Sequence, residues 1–553
     1  MAAEAPVEEK TVFARKTSGL VKELGAFDSF SINLISLGPG PAFALFLTIL
    51  VFVPGVNLLW ATLAAALVGV PVVASYAIMA IEMPRSGGEY VYPSRLLHPY
   101  LGIVSGVARM VNVIVYAAIL PFWFSTLVVG PGLASWGALA NNTGFFNLGN
   151  SLTLFSPTQN NVSIVIIGEI ATFVLMALYI VMKPRLAFNL FSVLLVLELI
   201  GLGVSLVLLF GVGHTGFVNT VNSYMQGQGY TGNYYQDTAA YGASQFGTYG
   251  SVFGNTLIFI PLVFAFYYMF TTAPNYIAGE FQRSSRSIRL GMTASYLLSI
   301  AFAAAIIVAF EQVVGMDFLN GSVWTSLYFL GGSSGPAPMP FAPGLVSLPM
   351  MAAGGNNVLL GILFVGAASW YLLWMILGFY IFTRYALSFS LDRMFPKALS
   401  AVSRRTHSPW AGIVILSVIG AILLPVVTYY YQSAYYPLIY LLFFLPMITV
   451  SLTSLSLVRL GMQKHKLTYT AVGSVSFVAT AVSAYIVSTL PLLGLAASAG
   501  AVPDFTFTNQ ETSYVAILAI LIGSAVWYFA ARAYNLRRHG VDVAMAFKQL
   551  PPD

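Results

Sequence analysis

The chain has no cysteine among its 553 residues. Disulfides, thiolate metal sites and cysteine nucleophiles are therefore excluded, and the redox state of the compartment cannot be read. Charge is scarce too. Only 8% of residues are charged against 58% hydrophobic, too little polar surface for a soluble chain of this length. Histidine is rare and misplaced for metal chemistry: His98, His214, His407, His465 and His539 all fall in predicted loops. No haem or zinc site inside a membrane can then be built from the usual ligands, which excludes a haem oxidase and a zinc intramembrane protease. Lysine is missing from every apolar run, which argues against proton-pumping subunits built on a central lysine. No Gly-x-x-x-x-Gly-Lys-Ser/Thr loop occurs, so no nucleotide site drives the chain. The N-terminus is polar and the first apolar run is too long for a signal-peptide core, so no cleavable signal is expected. The expectation is a protein without cofactor, without metal and without enzymatic chemistry.

What is present is hydrophobic length. Twelve runs can cross a bilayer, near 26–53, 56–82, 100–129, 162–182, 187–212, 254–280, 289–314, 356–390, 410–428, 435–458, 468–493 and 513–534. The first contains Ser36-Leu37-Gly38-Pro39-Gly40-Pro41. Proline removes backbone donors and clashes with the preceding turn, so no helix passes intact through this stretch. Two half-helices with a joint near mid-membrane are expected. Irregular backbone at that depth is tolerated where it lines a cavity or is buried in protein, and such joints form substrate and ion sites in secondary transporters. The sixth run is interrupted around Thr271–Pro274. Breaks in spans one and six suit a five-plus-five repeat.

Lys and Arg set the orientation. With the N-terminus inside (Lys10, Arg15, Lys16, Lys22), every second loop carries the remaining positive charge: Arg85 and Arg95, Lys183 and Arg185, Arg283 to Arg289, Arg393 to Arg405, Arg459 to Lys466, and Arg532 to Lys548. The alternate loops near 130–161, 213–253 and 315–355 hold neither. This distribution explains the net charge of +6 better than nucleic-acid binding does. The sequons at Asn141, Asn161 and Asn320 all fall on the predicted outer side.

Ionisable residues within spans are costly and mark function. Glu198 sits at the centre of span five, where a carboxyl group can hold and release a proton. Glu169 lies in the outer half of span four. Asp28, Arg109, Glu280 and Arg384 lie towards the inner ends, where ordinary ion pairing is the simpler role.

Glu82-Met83-Pro84-Arg85-Ser86-Gly87-Gly88-Glu89-Tyr90 resembles the Pro-Arg-Ser-Gly-Gly-Glu-Tyr signature of the amino acid–polyamine–organocation superfamily, in the first inner loop where the charge rule puts it. Gly38-Pro39-Gly40 resembles that family's Gly-x-Gly break. Glu280 with Arg283 and Arg286 resembles the end of its helix six, and Arg384 through Asp392-Arg393-Met394-Phe395-Pro396 the end of its helix eight. The resemblance covers about residues 24–460. It implies ten core helices in two inverted repeats, with substrate between the broken helices. The substrate carboxylate would meet Ser36, Gly38, Gly40 and Ala42, and helix six would contribute Phe266, Tyr267, Tyr268, Phe270, Thr271 and Thr272. Phe270 stands where the family commonly has glycine, which implies a small pocket or an unusual substrate. Glu198 replaces a lysine common in proton-coupled members and is the expected coupling residue. Ser369, Asp28, Glu280 and Arg384 are candidate ion-site or gate residues.

The sequence thus predicts an all-α polytopic membrane protein of about 12 helices. Its parts are a cytoplasmic segment 1–25, a first repeat 26–212, an outer loop 213–253, a second repeat 254–458, two further helices 468–534, and a cytoplasmic tail 535–553. The expected function is proton-coupled import of amino acids or related amines across the cell membrane. Sodium coupling, exchange, and a non-transporting receptor or scaffold binding protein partners through its outer loops stay open.

Overall fold

The computed structural model describes residues 13–14, 19–328, 335–403, 405–406, 408–489 and 507–552. Lys10, Arg15, Lys16, Arg404 and His407, and the last residues of the eleventh predicted run, lie outside them. Within a bilayer the backbone must satisfy itself, and every predicted run is helical. Twelve helices among the described residues are long and apolar enough to cross.

The first span is a pair, α1 (Ala26–Leu37) and α2 (Pro39–Ile49). Next come α3 (Leu58–Glu82), the short α4 (Gly88–Leu96), α5 (Pro99–Trp123), α6 (Asn161–Val181) and α7 (Pro184–Gly227). The sixth span is α8 (Phe253–Phe266) followed by irregular and 3₁₀ turns to Glu280. The remainder are α9 (Ser284–Ala309), α10 (Asn357–Leu391), α11 (Trp410–Tyr429), α12 (Tyr431–Gln463), α13 (Lys466–Thr489) and α14 (Phe507–His539). Asparagine side chains cap the starts of α3, α6 and α10: Asn57, Asn160 and Asn356 each accept from first-turn amides.

The segments read as long loops are partly helical. Residues 130–161 hold helices Gly130–Leu139 and Thr143–Leu152, and 315–355 hold Met316–Val323 and Ser347–Ala353. The chain reaches 212 as expected, turns at Gly213 (φ +65°), and continues helical to Gly227. His214 therefore lies in a helix rather than a loop, with Nδ1 3.0 Å from the Val313 carbonyl. Residues 213–253 also hold helix Tyr234–Phe246, and such short helices, Thr143–Leu152 capped by Asn142 and Tyr234–Phe246 by Asn233, escape a reading based on span-length hydropathy. Asn320 is 4% exposed, so a glycan does not fit it in this fold.

Small residues set the closest helix contacts. Gly201 of α7 and Gly366 of α10 face each other, each Cα within 2.7 Å of where the other's Cβ would stand. At the face carrying Arg85 and Arg95, the chain after α14 folds back beneath α4. Arg85 Nε donates to the Pro551 carbonyl (2.8 Å) and Arg95 Nε to that of Gln549 (3.2 Å). The Arg95 guanidinium lies 5.1 Å over the Phe547 ring. Arg532 pairs with Asp542 at 2.7 Å, and Asp542 also caps the turn Val543–Lys548 through the Ala544 amide.

Candidate functional site

Three prolines define the two breaks. In an unbroken helix the amides of residues 39, 41 and 274 would bond the carbonyls of Ile35, Leu37 and Phe270. Proline has no such amide. The chain passes Gly38 in the left-handed region (φ +60°), which glycine alone enters without strain, and restarts at once as α2. Two of these carbonyls gain side-chain donors, Phe270 O in addition to the Thr272 amide it already accepts from (2.7 Å). Trp374 Nε1 of α10 donates to Ile35 O (2.6 Å), and Ser36 Oγ donates to Phe270 O (2.7 Å). The second bond ties one break to the other. The sixth span unwinds at Tyr267, one turn earlier than the expected Thr271. Past that point the backbone closes tighter bonds, Phe270 N to Tyr267 O and Thr271 N to Tyr268 O.

Beside the joined breaks lies a half-open cavity with about 470 Å³ of empty space, part of it continuous with solvent. Ser36, Phe270 and Tyr276 form its wall on the broken helices, Trp374, Leu377, Gly378 and Ile381 on α10, and Arg109, Asn112 and Tyr116 on α5. The Tyr116 and Phe270 rings meet edge to face, 6.4 Å between centroids. Phe270 thus narrows the cavity, as its bulk predicts.

Arg109 is fixed from below. Its Nε and Nη2 donate to the two oxygens of Glu89 (2.8 Å each), and Nη2 also to Thr449 Oγ1 (3.0 Å). Glu89 further accepts from Tyr76 (2.8 Å) and Tyr385 (2.7 Å). A buried ion pair survives in an apolar interior when its remaining hydrogen-bonding capacity is met, and here it is met on the carboxylate side.

On the far side of the first break is Glu198, 2% exposed on α7. The first turn of α2 offers few donors: Pro39 and Pro41 have none, and the Ala42 amide bonds Gly38 O (3.0 Å). The Gly40 amide remains, and it faces the Glu198 carboxyl. Glu198 Oε1 has no partner among the described residues. The carboxyl group therefore sits at the positive end of a half-helix with one amide to hold it.

The other residues expected at the site have different surroundings. Gly38 presses on Trp374 and Gly40 on Trp370, and the Gly38 amide bonds Leu34 O (2.9 Å). Thr271 is bound by Asn33, which also reaches Ser295 (2.7 Å). Thr272 bonds Tyr276 (2.6 Å), Tyr267 bonds Ser299 O (2.9 Å), and Phe266 meets Phe443 edge to face (4.8 Å between centroids). The Tyr268 hydroxyl is buried without a partner among the described residues. Ser369 donates to Val365 O within its own helix (2.9 Å). Asp28 pairs with Arg185 (2.8 Å) and caps α1 through the Gly25 amide. Glu280 and Arg384 form a two-pronged pair (2.9 and 2.8 Å). Of the ten expected substrate contacts, Ser36 and Phe270 line the cavity. Asn112, Tyr116 and Trp374 were not singled out from the sequence, although Arg109, Asn112 and Tyr116 fall at helical spacing on one face of an apolar span.

A twelve-span helical bundle whose first and sixth spans break beside a cavity is a polytopic membrane protein with the broken-helix architecture that secondary transporters use. The model of the amino acid permease family matches residues 27–526, and the chain belongs to that family. A stretch of 80 residues is 36% identical to "Uncharacterized protein 399" of Sulfolobus islandicus rod-shaped virus 1. That match covers 14% of this chain and 20% of the viral protein.

Proposed function

We propose that the protein imports amino acids or related amines across the cell membrane by alternating access, and that protons drive it through Glu198. In this reading residues 26–212 and 254–458 are two inverted repeats, and both termini are cytoplasmic. The observation that carries it is the Glu198 carboxyl facing the Gly40 amide at the start of α2. Ionised, the carboxylate is held by that amide and by the half-helix dipole, which fixes α2 against α7. Protonated, it loses this attraction and α2 is free to tilt. Proton occupancy and the position of α2 are thereby linked, and substrate beside the same break feels both.

Uptake of labelled amino acids into proteoliposomes, with and without an imposed proton gradient, tests the reading. Glu198→Gln imitates the protonated form, so it should still bind and exchange substrate but lose accumulation driven by the gradient. A mutant that concentrates substrate as well as wild type makes Glu198 structural and moves the coupling elsewhere. Dependence on sodium instead of protons would replace the driving ion. The absence of native cysteine makes the topology easy to probe: a cysteine at Ser244 should react with an impermeant reagent from outside only, and one at Ser403 from inside only.

A further inference from the structure

We infer that the Arg109–Asn112 end of the cavity is a subsite for a neutral hydrogen-bond acceptor at the tip of the substrate's side chain. This rests on the amino acid or amine reading above. Donors and acceptors around the cavity do not balance. Ser36 and Trp374 spend their protons on Phe270 O and Ile35 O, and Tyr276 shares a hydrogen bond with Thr272. Arg109 Nε and Nη2 are committed to Glu89 and Thr449, whereas Nη1 has one long contact, 3.5 Å to Asn112 Oδ1. Asn112 is 1% exposed, and its Nδ2 has no partner among the described residues. Both side chains line the cavity. The uncommitted nitrogens at this end are therefore donors, beside the Tyr116 hydroxyl, which can donate or accept, on a wall otherwise apolar from Val113, Leu377 and Ile381.

Charge narrows the ligand further. Glu89 already neutralises Arg109 with both of its oxygens. A second carboxylate would leave one negative charge uncompensated in a low-dielectric site, whereas an amide or hydroxyl oxygen adds none. A site that offers buried donors also rejects an apolar analogue, because those donors then go unpaired. The preferred side chain has an apolar stem, to run along Phe270 and Trp374, and a neutral oxygen at its end.

Binding to the purified full-length protein, read by ligand-induced thermal shift and by competition, tests this with matched probes. These are glutamine, norleucine and glutamate, and the amines 4-aminobutanamide and pentylamine. Wild type should bind glutamine at least tenfold tighter than norleucine or ionised glutamate, with 4-aminobutanamide ahead of pentylamine. Asn112→Leu should bring glutamine and norleucine to parity. Asn112→Ser, a smaller change should the leucine variant not fold, should narrow the ratio at least threefold. Equal binding of glutamine and norleucine by wild type, or an unchanged ratio in both variants, overturns the subsite. Preference within the amine pair alone supports the subsite but removes amino acids as substrates. Binding of no probe overturns both.

Discussion

Glu89 and Glu198 are two carboxyl groups buried in the same bundle, on opposite sides of the first break, and their surroundings could hardly differ more. Glu89 accepts four hydrogen bonds, two from a guanidinium and two from tyrosines. Glu198 faces one amide and keeps an oxygen without a partner. A carboxylate met by four donors, two of them from a fixed guanidinium, is anchored in place. One that faces a single amide is free to move at the cost of that one contact. The same side chain is thus a rivet at one place and a movable part at the other, and the donors supplied by its neighbours decide which.

The contrast is most easily broken by stability measurements. Glu89→Ala leaves Arg109 buried without its counter-ion and should cost about 3–5 kcal/mol, read as a lowered thermal unfolding transition in detergent. Glu198→Gln should stay within about 1 kcal/mol of wild type. Equal losses would erase the distinction. The next largest effect is expected from displacing the amide that Glu198 faces. A Cβ at Gly40 would overlap the Trp370 indole, so Gly40→Val should abolish substrate binding, whereas Gly203→Ala on α7, where a Cβ meets nothing within 4 Å, should leave it intact. Wild-type binding by Gly40→Val would reduce the first break to a kink. A moderate effect is expected from the ring lining the cavity beside the first break: Phe270→Gly should admit bulkier side chains, seen as uptake of substrates that wild type excludes.

The smallest effect concerns a third carboxylate, outside the membrane. Arg532 holds the Asp542 carboxyl below its usual range. The sign follows: the stabilisation is complete above the ordinary aspartate value near 4 and is lost as pH falls through the lowered one. Hydrogen-exchange protection in the tail, taken against the intrinsic rate at each pH, should therefore fall on acidification, and in Asp542→Asn it should be low at every pH.

Much of the fold was legible because its signals are long. A run of apolar residues can be satisfied in a membrane only as a helix, and proline beside glycine at 38–41 can only break one. The placement of Ser36 and Phe270 beside the breaks, and of Glu198 within a span, could be read from the local sequence in the same way. What could not be read was direction. Thr271, Thr272 and Tyr267 belong to the broken span, but their hydroxyls turn to Asn33, Tyr276 and Ser299, partners up to 238 residues away. Trp374 closes the Ile35 carbonyl across 339 positions, a pairing with no local signature. Arg109 looked like an ordinary end-of-helix charge. It is paired as expected, and it also reaches the cavity, because α5 carries Asn112 and Tyr116 on the same face.

The tail beneath α4 bears on how the protein is made. Arg85 and Arg95 leave the ribosome early, yet the carbonyls of Pro551 and Gln549 that they bind are 466 and 454 residues downstream. At about 5–20 residues per second, their partners arrive roughly 20 to 90 seconds later. Until then α4 has no strap beneath it. A segment made late thus closes a joint opened by one made early, so a chain cut short before residue 549 would be inserted in the bilayer but unfinished at that face.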